Sequence, residues 1–265
     1  SIPLYPEGGR AAWIVDGQQR SLALAAAKNR QIAVPVIGFV SDEVATQREQ
    51  FILVNKSKKL PTGLIDELLP EVSVQLPRNL AARQLPSELC NALNSDPKSP
   101  FHGLIKRESD PKNGTGIVSD NALIEAMKAS LRTTAGALGQ FKHNGDGNDT
   151  TAMYETLITF WTAVRDTFPD AWGKSPKESR LMHSVGIRAM GALMDMIMFR
   201  ADGIADKASV VRDILGRLAP QCRWTAGRWE GLGLAWNELQ STPQHINKLS
   251  EHLIRMEREL ARMPA

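Results

Sequence analysis

The sequence predicts an α+β chain in which a small α/β lobe precedes a mostly α-helical domain. Three observations carry this. Residues 1–57 alternate apolar runs of strand length with a stretch of helix formers, as a βαβ unit does. Residues 58–119 form a connecting region broken by Pro61, Pro70, Pro77, Pro86, Pro97, Pro100 and Pro111, so only short elements fit between them. From 120 to 265 apolar residues recur at spacings of three and four, the rhythm of amphipathic helices.

In chain order, residues 11–15 are an apolar run ending at Asp16-Gly17 and read as a first strand. Helix formers fill 21–28. A second strand is expected over Ile32 to Val40, between the polar pairs Asn29-Arg30 and Ser41-Asp42. Ser41 or Asp42 can cap a following helix with Val44, Phe51 and Val54 on one face. In the connecting region a helix is expected over Asn79 to Ala92. A small hairpin is expected from Leu104–Glu108 and Gly116–Val118 around the turn-rich residues 110–114. In the helical domain Leu157, Trp161 and Val164 mark one buried face, and Ile246, Leu249, Leu253, Met256 and Leu260 mark another. Two strands alone make a marginal sheet. The lobe is therefore expected to be N-terminally incomplete, with further strands upstream of Ser1 or on another chain.

Bulk properties narrow the classes. The chain has 265 residues, 42% apolar and 23% charged, which suits a globular protein with a sizeable core. A net charge of +3 permits a nucleic-acid partner without requiring one. The two cysteines, Cys90 and Cys222, are far apart and show no C-x-x-C spacing. That argues against zinc and for a reducing, cytoplasmic setting. The most apolar stretch, Leu181 to Phe199, carries His183, Arg188 and Asp195, each expensive in hydrocarbon. It reads as a buried helix, and no membrane partner is expected.

Chemistry concentrates where the first strand meets the first helix, at Asp16-Gly17-Gln18-Gln19-Arg20. Gly17 permits a backbone conformation closed to other residues. A helix N-terminus presents free N–H groups and a positive dipole end. Arg20 adds a planar, permanently charged fork at the same place. Together these suit a phosphate. Asp16 would hold a ribose hydroxyl, a magnesium ion or Arg20 itself. The alternative is purely structural: Asp16 caps the helix and Arg20 pairs with it. A second candidate is Asn55 with Lys56, Lys58 and Lys59, an amide and ammonium groups able to meet phosphate oxygens or a base edge. Its alternative is a C-capping Asn followed by a solvated basic turn.

Other motifs carry less. "NGDGNDTTAMYE" (144–155) imitates a calcium loop, but Asn144 stands at its first position and Asp149 where glycine is needed, so a polar connector is expected. Trp224, Trp229 and Trp236 could stack nucleobases, yet in a helical domain packing is the expected role. His245 and His252 share a helix face without a carboxylate or Cys at metal-ligand spacing. His183 is expected to be a hydrogen-bonded core residue.

Asp16-Gly17-Gln18-Gln19-Arg20 resembles the signature of DGQHR-domain proteins, with Gln19 where His is usual, which removes a titratable group. The resemblance extends to "FILVNKSKKLP" (51–61), "SPFHGLIK" (99–106) and "WEGLGLAWNELQSTPQHINKLSEHL" (229–253), and so spans nearly the whole chain. It implies a partial ParB/sulfiredoxin-like lobe, in which a G-x-x-R turn at a helix start grips nucleotide phosphates. It also implies membership of bacterial DNA-modification systems. One branch is the B component of DNA phosphorothioation. The other is the B component of 7-deazaguanine insertion, an NTPase beside a transglycosylase-like partner. The form "WIVDGQQR" (13–20) is more similar to the second.

The resemblance thus implies an NTP hydrolase using ATP or another NTP with Mg2+, with DNA and a DNA-modifying subunit as partners. Asp16 and Arg20 would be its catalytic groups. Gly17, Gln18, Gln19, Asn55 and Lys56 would complete the nucleotide site, and Lys56, Lys58 and Lys59 would meet DNA. The competing class is a DNA-binding regulatory module without turnover, or a nicking nuclease of a phosphorothioation or restriction system.

Overall fold

The computed structural model describes residues 14–27, 34, 36–41, 43–54, 61–72, 76–111, 114–142 and 147–262. Most of what it describes is helix. The helices are α1 (Gln18–Ala26), α2 (Val44–Val54), α3 (Thr62–Leu68), α4 (Arg78–Ser95), α5 (Asp120–Ser130), α6 (Thr150–Thr167), α7 (Ser184–Arg200), α8 (Lys207–Leu218) and α9 (Pro243–Arg262). Two short ladders accompany them: β1 (Ile105–Lys106) with β2 (Val118–Ser119), and β3 (Arg228–Trp229) with β4 (Leu234–Ala235). The class is mixed but dominated by helix. Among the described residues no helix is long and apolar enough to cross a membrane.

The core is helix on helix. α7 packs against both α5 and α9, α6 lies on α8, and α4 lies on α5. One apolar cluster runs from Leu89 to Met256, so α4 and β1 share a core with α5 to α9. The expected spacing is realised: Leu157, Trp161 and Val164 are buried on α6, and Ile246, Leu249, Leu253 and Met256 on α9. Leu260 packs at the margin of that cluster. Ring contacts add specificity, with Phe101 edge-on to Trp161 at 5.1 Å between centroids.

Local chemistry starts the helices. Asp149 caps α6, its carboxylate accepting from the Ala152 amide at 2.9 Å. This is a capping role for the residue that occupies the glycine position of the calcium-like loop, of which residues 144–146 lie outside the described residues. Asp206 caps α8 through Ser209 in the same way. Thr242 accepts from the His245 amide, and Pro243 takes the first helical position of α9, where a missing N–H costs nothing.

Three expectations are corrected. Leu104–Glu108 and Gly116–Val118 do not form a hairpin: β1 and β2 run parallel, with Ile105 opposite Val118. The reason is a close crossing, since a Cβ on Gly116 would lie 2.5 Å from Lys106 Cα. The returning chain passes over β1 before pairing with it. By contrast, the helix expected over Asn79 to Ala92 is present as α4, which runs through a buried Pro86 where core packing offsets the lost backbone bond. The inward side of α2 carries Ile52 and Arg48, the latter ion-paired with Glu71, while Val44 and Val54 are exposed. Finally, residues 34 and 36–40 of the expected second strand pair with no neighbour among the described residues, and Val36, Ile37 and Val40 are exposed. Of the expected first strand only Ile14 and Val15 are described, and they too form no ladder.

Candidate functional site

The turn at 16–20 is built by one glycine. Gly17 sits at φ +88°, in the left-handed region that L side chains rarely adopt, and is the N-cap of α1. Its amide donates to Asp16 Oδ1 at 2.7 Å, and its carbonyl accepts the Ser21 amide at 2.8 Å. The Gln18 side-chain amide reaches back to the Ile14 carbonyl at 2.9 Å, tying the helix start to the incoming chain. No side chain caps the first-turn amides of α1. They belong to the exposed residues Gln18, Gln19 and Arg20, at the positive end of the helix dipole.

Arg20 folds back over this turn. Its Nη2 lies 3.0 Å from Asp16 Oδ2, and a Cβ on Gly17 would be 3.3 Å from the same nitrogen. The pair is open to solvent, with 75% of the Arg20 side chain and 39% of the Asp16 side chain exposed. A surface pair of this kind contributes about 0–1 kcal/mol. It holds the guanidinium over the turn without locking it there. The geometry therefore contains both the Asp16–Arg20 partnership and the cradle of amides, and Arg20 can exchange one anion for another.

Asp16 is the one carboxylate of the turn. Its oxygens already accept from Gly17 and Arg20, which leaves it able to give Mg2+ a single ligand. That is a common share when phosphates and waters complete the octahedron. Among the described residues no group of three or more His, Cys, Asp or Glu is placed to hold a metal. Gln19 is exposed beside Arg20. Asn55, Lys56, Lys58 and Lys59 lie outside the described residues.

The aromatic and histidine candidates fall into packing roles. Trp224 and Trp229 are buried and meet edge-to-face at 4.9 Å. Trp236 is half-buried with the Arg180 guanidinium 5.8 Å from its ring centroid. His183 caps α7, its Nδ1 accepting from the Val185 amide, and burial together with Arg180 keeps the imidazole below its ordinary pKa. His245 Nδ1 accepts from the Gln240 amide at 2.9 Å. His252 is buried against Trp229, and its Nδ1 meets Arg255 Nη2 at 2.8 Å.

Sequence reasoning missed a buried charge cluster. Arg83 on α4 grips Asp66 on α3 in a bidentate pair, both contacts at 2.6 Å, and reaches Glu125 at 2.5 Å and Asn121 at 2.8 Å on α5. Hydrogen bonding to Asp66 holds the guanidinium above its ordinary pKa. Burial pushes the Glu125 carboxyl up, but Lys128 and Arg83 outweigh it and hold it below the usual range. Each nitrogen of the Arg83 fork has an acceptor, so the cluster joins three helices as a structural tie. Asp66 and Arg83 stand 17 positions apart, with no spacing to betray them. Nearby Asp120 opens α5, and burial raises its carboxyl pKa.

No family model, curated protein or solved structure matches the chain.

Proposed function

We propose that the chain is a nucleotide-binding, nucleotide-hydrolysing component of a bacterial DNA-modification system, with the Asp16–Arg20 turn as its phosphate site. The observation that carries this reading is the turn itself: a left-handed Gly17, uncapped first-turn amides on α1, and the Arg20 fork laid across them. These are the three parts a phosphate cradle requires. The amides and Arg20 would bind and orient the phosphates, and Gln18 would keep the turn rigid through its bond to Ile14. Magnesium bound with the nucleotide would supply charge neutralisation, and Asp16 is the residue that would hold it. The resemblance in four separate segments supports the DNA-modification setting. It favours 7-deazaguanine insertion beside a transglycosylase-like subunit, with a ParB-like lobe around the turn and Asn55, Lys56, Lys58 and Lys59 toward nucleotide and DNA.

A second reading is a DNA-binding module that uses the same turn without turnover. The exposed Asp16–Arg20 pair favours it, because the one carboxylate of the turn is already engaged by the Gly17 amide and the Arg20 guanidinium. Phosphate release from ATP and CTP, with and without duplex DNA, separates the two. Turnover identifies the enzyme, and DNA retention without turnover identifies the module.

The site itself is tested by nucleotide titration beside a thermal melt. Arg20→Ala is expected to weaken nucleotide binding by roughly ten- to a hundredfold, the loss of a charge-assisted bond of about 1.5–3 kcal/mol. Stability should change by no more than about 1 kcal/mol, because the pair is exposed. Arg20→Lys should rescue only in part, since a point charge lacks the planar fork. Gln19→Ala should cost less. Normal nucleotide binding by folded Arg20→Ala would make the arginine merely the partner of Asp16.

A further inference from the structure

We propose that Ser179, Arg180, Trp224 and Trp229, at the base of the β3–β4 hairpin, form a second ligand site that takes a phosphate group, with Trp236 beside it for an attached base. The site is independent of the Asp16–Arg20 turn.

Unpaired donors carry the inference. Ser179 Oγ, Arg180 Nε, Trp224 Nε1 and Trp229 Nε1 are all buried without a hydrogen-bond partner. Ser179 is 0%, Trp224 4% and Trp229 1% exposed, so bulk water does not reach them. Indole and guanidinium N–H groups can only donate. A folded interior rarely leaves such groups unmet, because each one costs about 1–3 kcal/mol. Backbone and ring contacts link the residues that carry them. The Arg180 amide donates to the Trp224 carbonyl at 2.8 Å, Trp224 and Trp229 touch at 4.9 Å, and the Arg180 guanidinium lies over Trp236.

The missing acceptor should be an anion. Arg180 gives its other nitrogens to the Pro176 carbonyl and, at 2.8 Å, to the Asn237 carbonyl. Neighbouring Arg223 and Arg228 likewise donate to carbonyls, of Pro220, Cys222 and Gly233. None of the three is ion-paired among the described residues, where acidic partners serve Arg20, Arg48, Arg83, Arg165 and Arg200 instead. Burial alone lowers the Arg180 pKa, with no carboxylate to offset it. The protein thus carries a positive group partly out of water, held in place by neutral oxygens. A phosphate offers several acceptor oxygens of the kind these hydroxyl, guanidinium and indole donors lack. The half-buried Trp236 ring offers the stacking face that a nucleobase would use.

The test reads the indole N–H resonances of the 15N-labelled full chain, assigned with Trp224→Phe and Trp229→Phe. The probes are inorganic phosphate and a 5′-phosphorylated single-stranded oligonucleotide of about ten nucleotides. Both indole resonances should shift on saturation, and Arg180→Lys should raise the midpoint at least tenfold. Trp236→Ala, at a half-exposed position, keeps the test open should Arg180→Lys melt early. Tighter binding of the oligonucleotide, lost in Trp236→Ala, identifies nucleic acid as the source. Equal midpoints for the two probes identify free phosphate. Arg20→Ala should leave the shifts unchanged, and their loss in that variant would overturn the assignment. So would indole resonances that neither probe moves, the behaviour of donors met by water alone.

Discussion

Asp195 shows how one half-buried carboxylate can be structural. It projects from α7, and its Oδ1 accepts from the Ser130 hydroxyl at 2.5 Å and the Ala137 amide at 2.9 Å, fixing the turn that follows α5. The Leu138 amide in turn donates to Ser130, so three residues hang on one oxygen. Burial raises the carboxyl pKa, and the two donors offset only part of that. A raised acid binds its proton more firmly in the folded state. Its contribution is complete below the ordinary value of 3.8 and is lost as pH rises through the folded value. Asp195→Asn keeps an acceptor and never pays for ionisation. In urea titrations its stability relative to the native chain should therefore rise with pH across the mildly acidic range and then level off. Asp195→Ala strands Ser130 and Ala137 and should cost about 2–4 kcal/mol at neutral pH.

Two glycines distinguish packing from propensity at the scale of an element. On α7, a Cβ on Gly191 would lie 2.7 Å from Ala126 Cβ on α5, so the two helices approach through absent side chains. Gly191→Ala should lower stability by about 1–3 kcal/mol, because the core has no room to yield. On α8 a Cβ on Gly216 meets nothing within 4 Å. Gly216→Ala should therefore raise stability by about 0.4–1 kcal/mol through helix propensity and a stiffer unfolded chain. Thermal melts of both variants check the opposite signs. The same contrast explains what could be read in advance. The faces of α6 and α9 were legible because burial follows the period of the chain itself. The parallel β1–β2 pair and the Ile52 side of α2 were not, because each depends on what a distant segment places against it. The candidate site divides likewise. Gly17 and Arg20 could be picked out as a local pattern, whereas Arg180, Trp224 and Trp229 form a cluster only once the hairpin folds.

Burial across the whole molecule is uneven, and the two proposed sites lie on opposite sides of that divide. No residue of α1 is buried, and α2 buries Ile52 alone. The principal apolar cluster begins at Leu89. The Asp66–Arg83 pair belongs with that body, since it joins α3 to α4. A fragment of residues 61–265 would lose the burial of Ile52, worth about 1.5–3 kcal/mol. It would also lose the surface Arg48–Glu71 pair, worth at most about 1 kcal/mol. Neither loss removes a core layer, so the fragment should still melt in one cooperative step at a lower temperature. It should bind nucleotide at least tenfold more weakly, having lost the Asp16–Arg20 turn, yet keep the phosphate-induced shifts of the Trp224 and Trp229 indoles. Calorimetry and the two titrations on one sample check all three. Undiminished nucleotide affinity in the fragment would move the phosphate site off the turn and into the helical body. A fragment without a cooperative melt would mean that residues 1–60 hold the body together through contacts beyond Ile52 and Arg48.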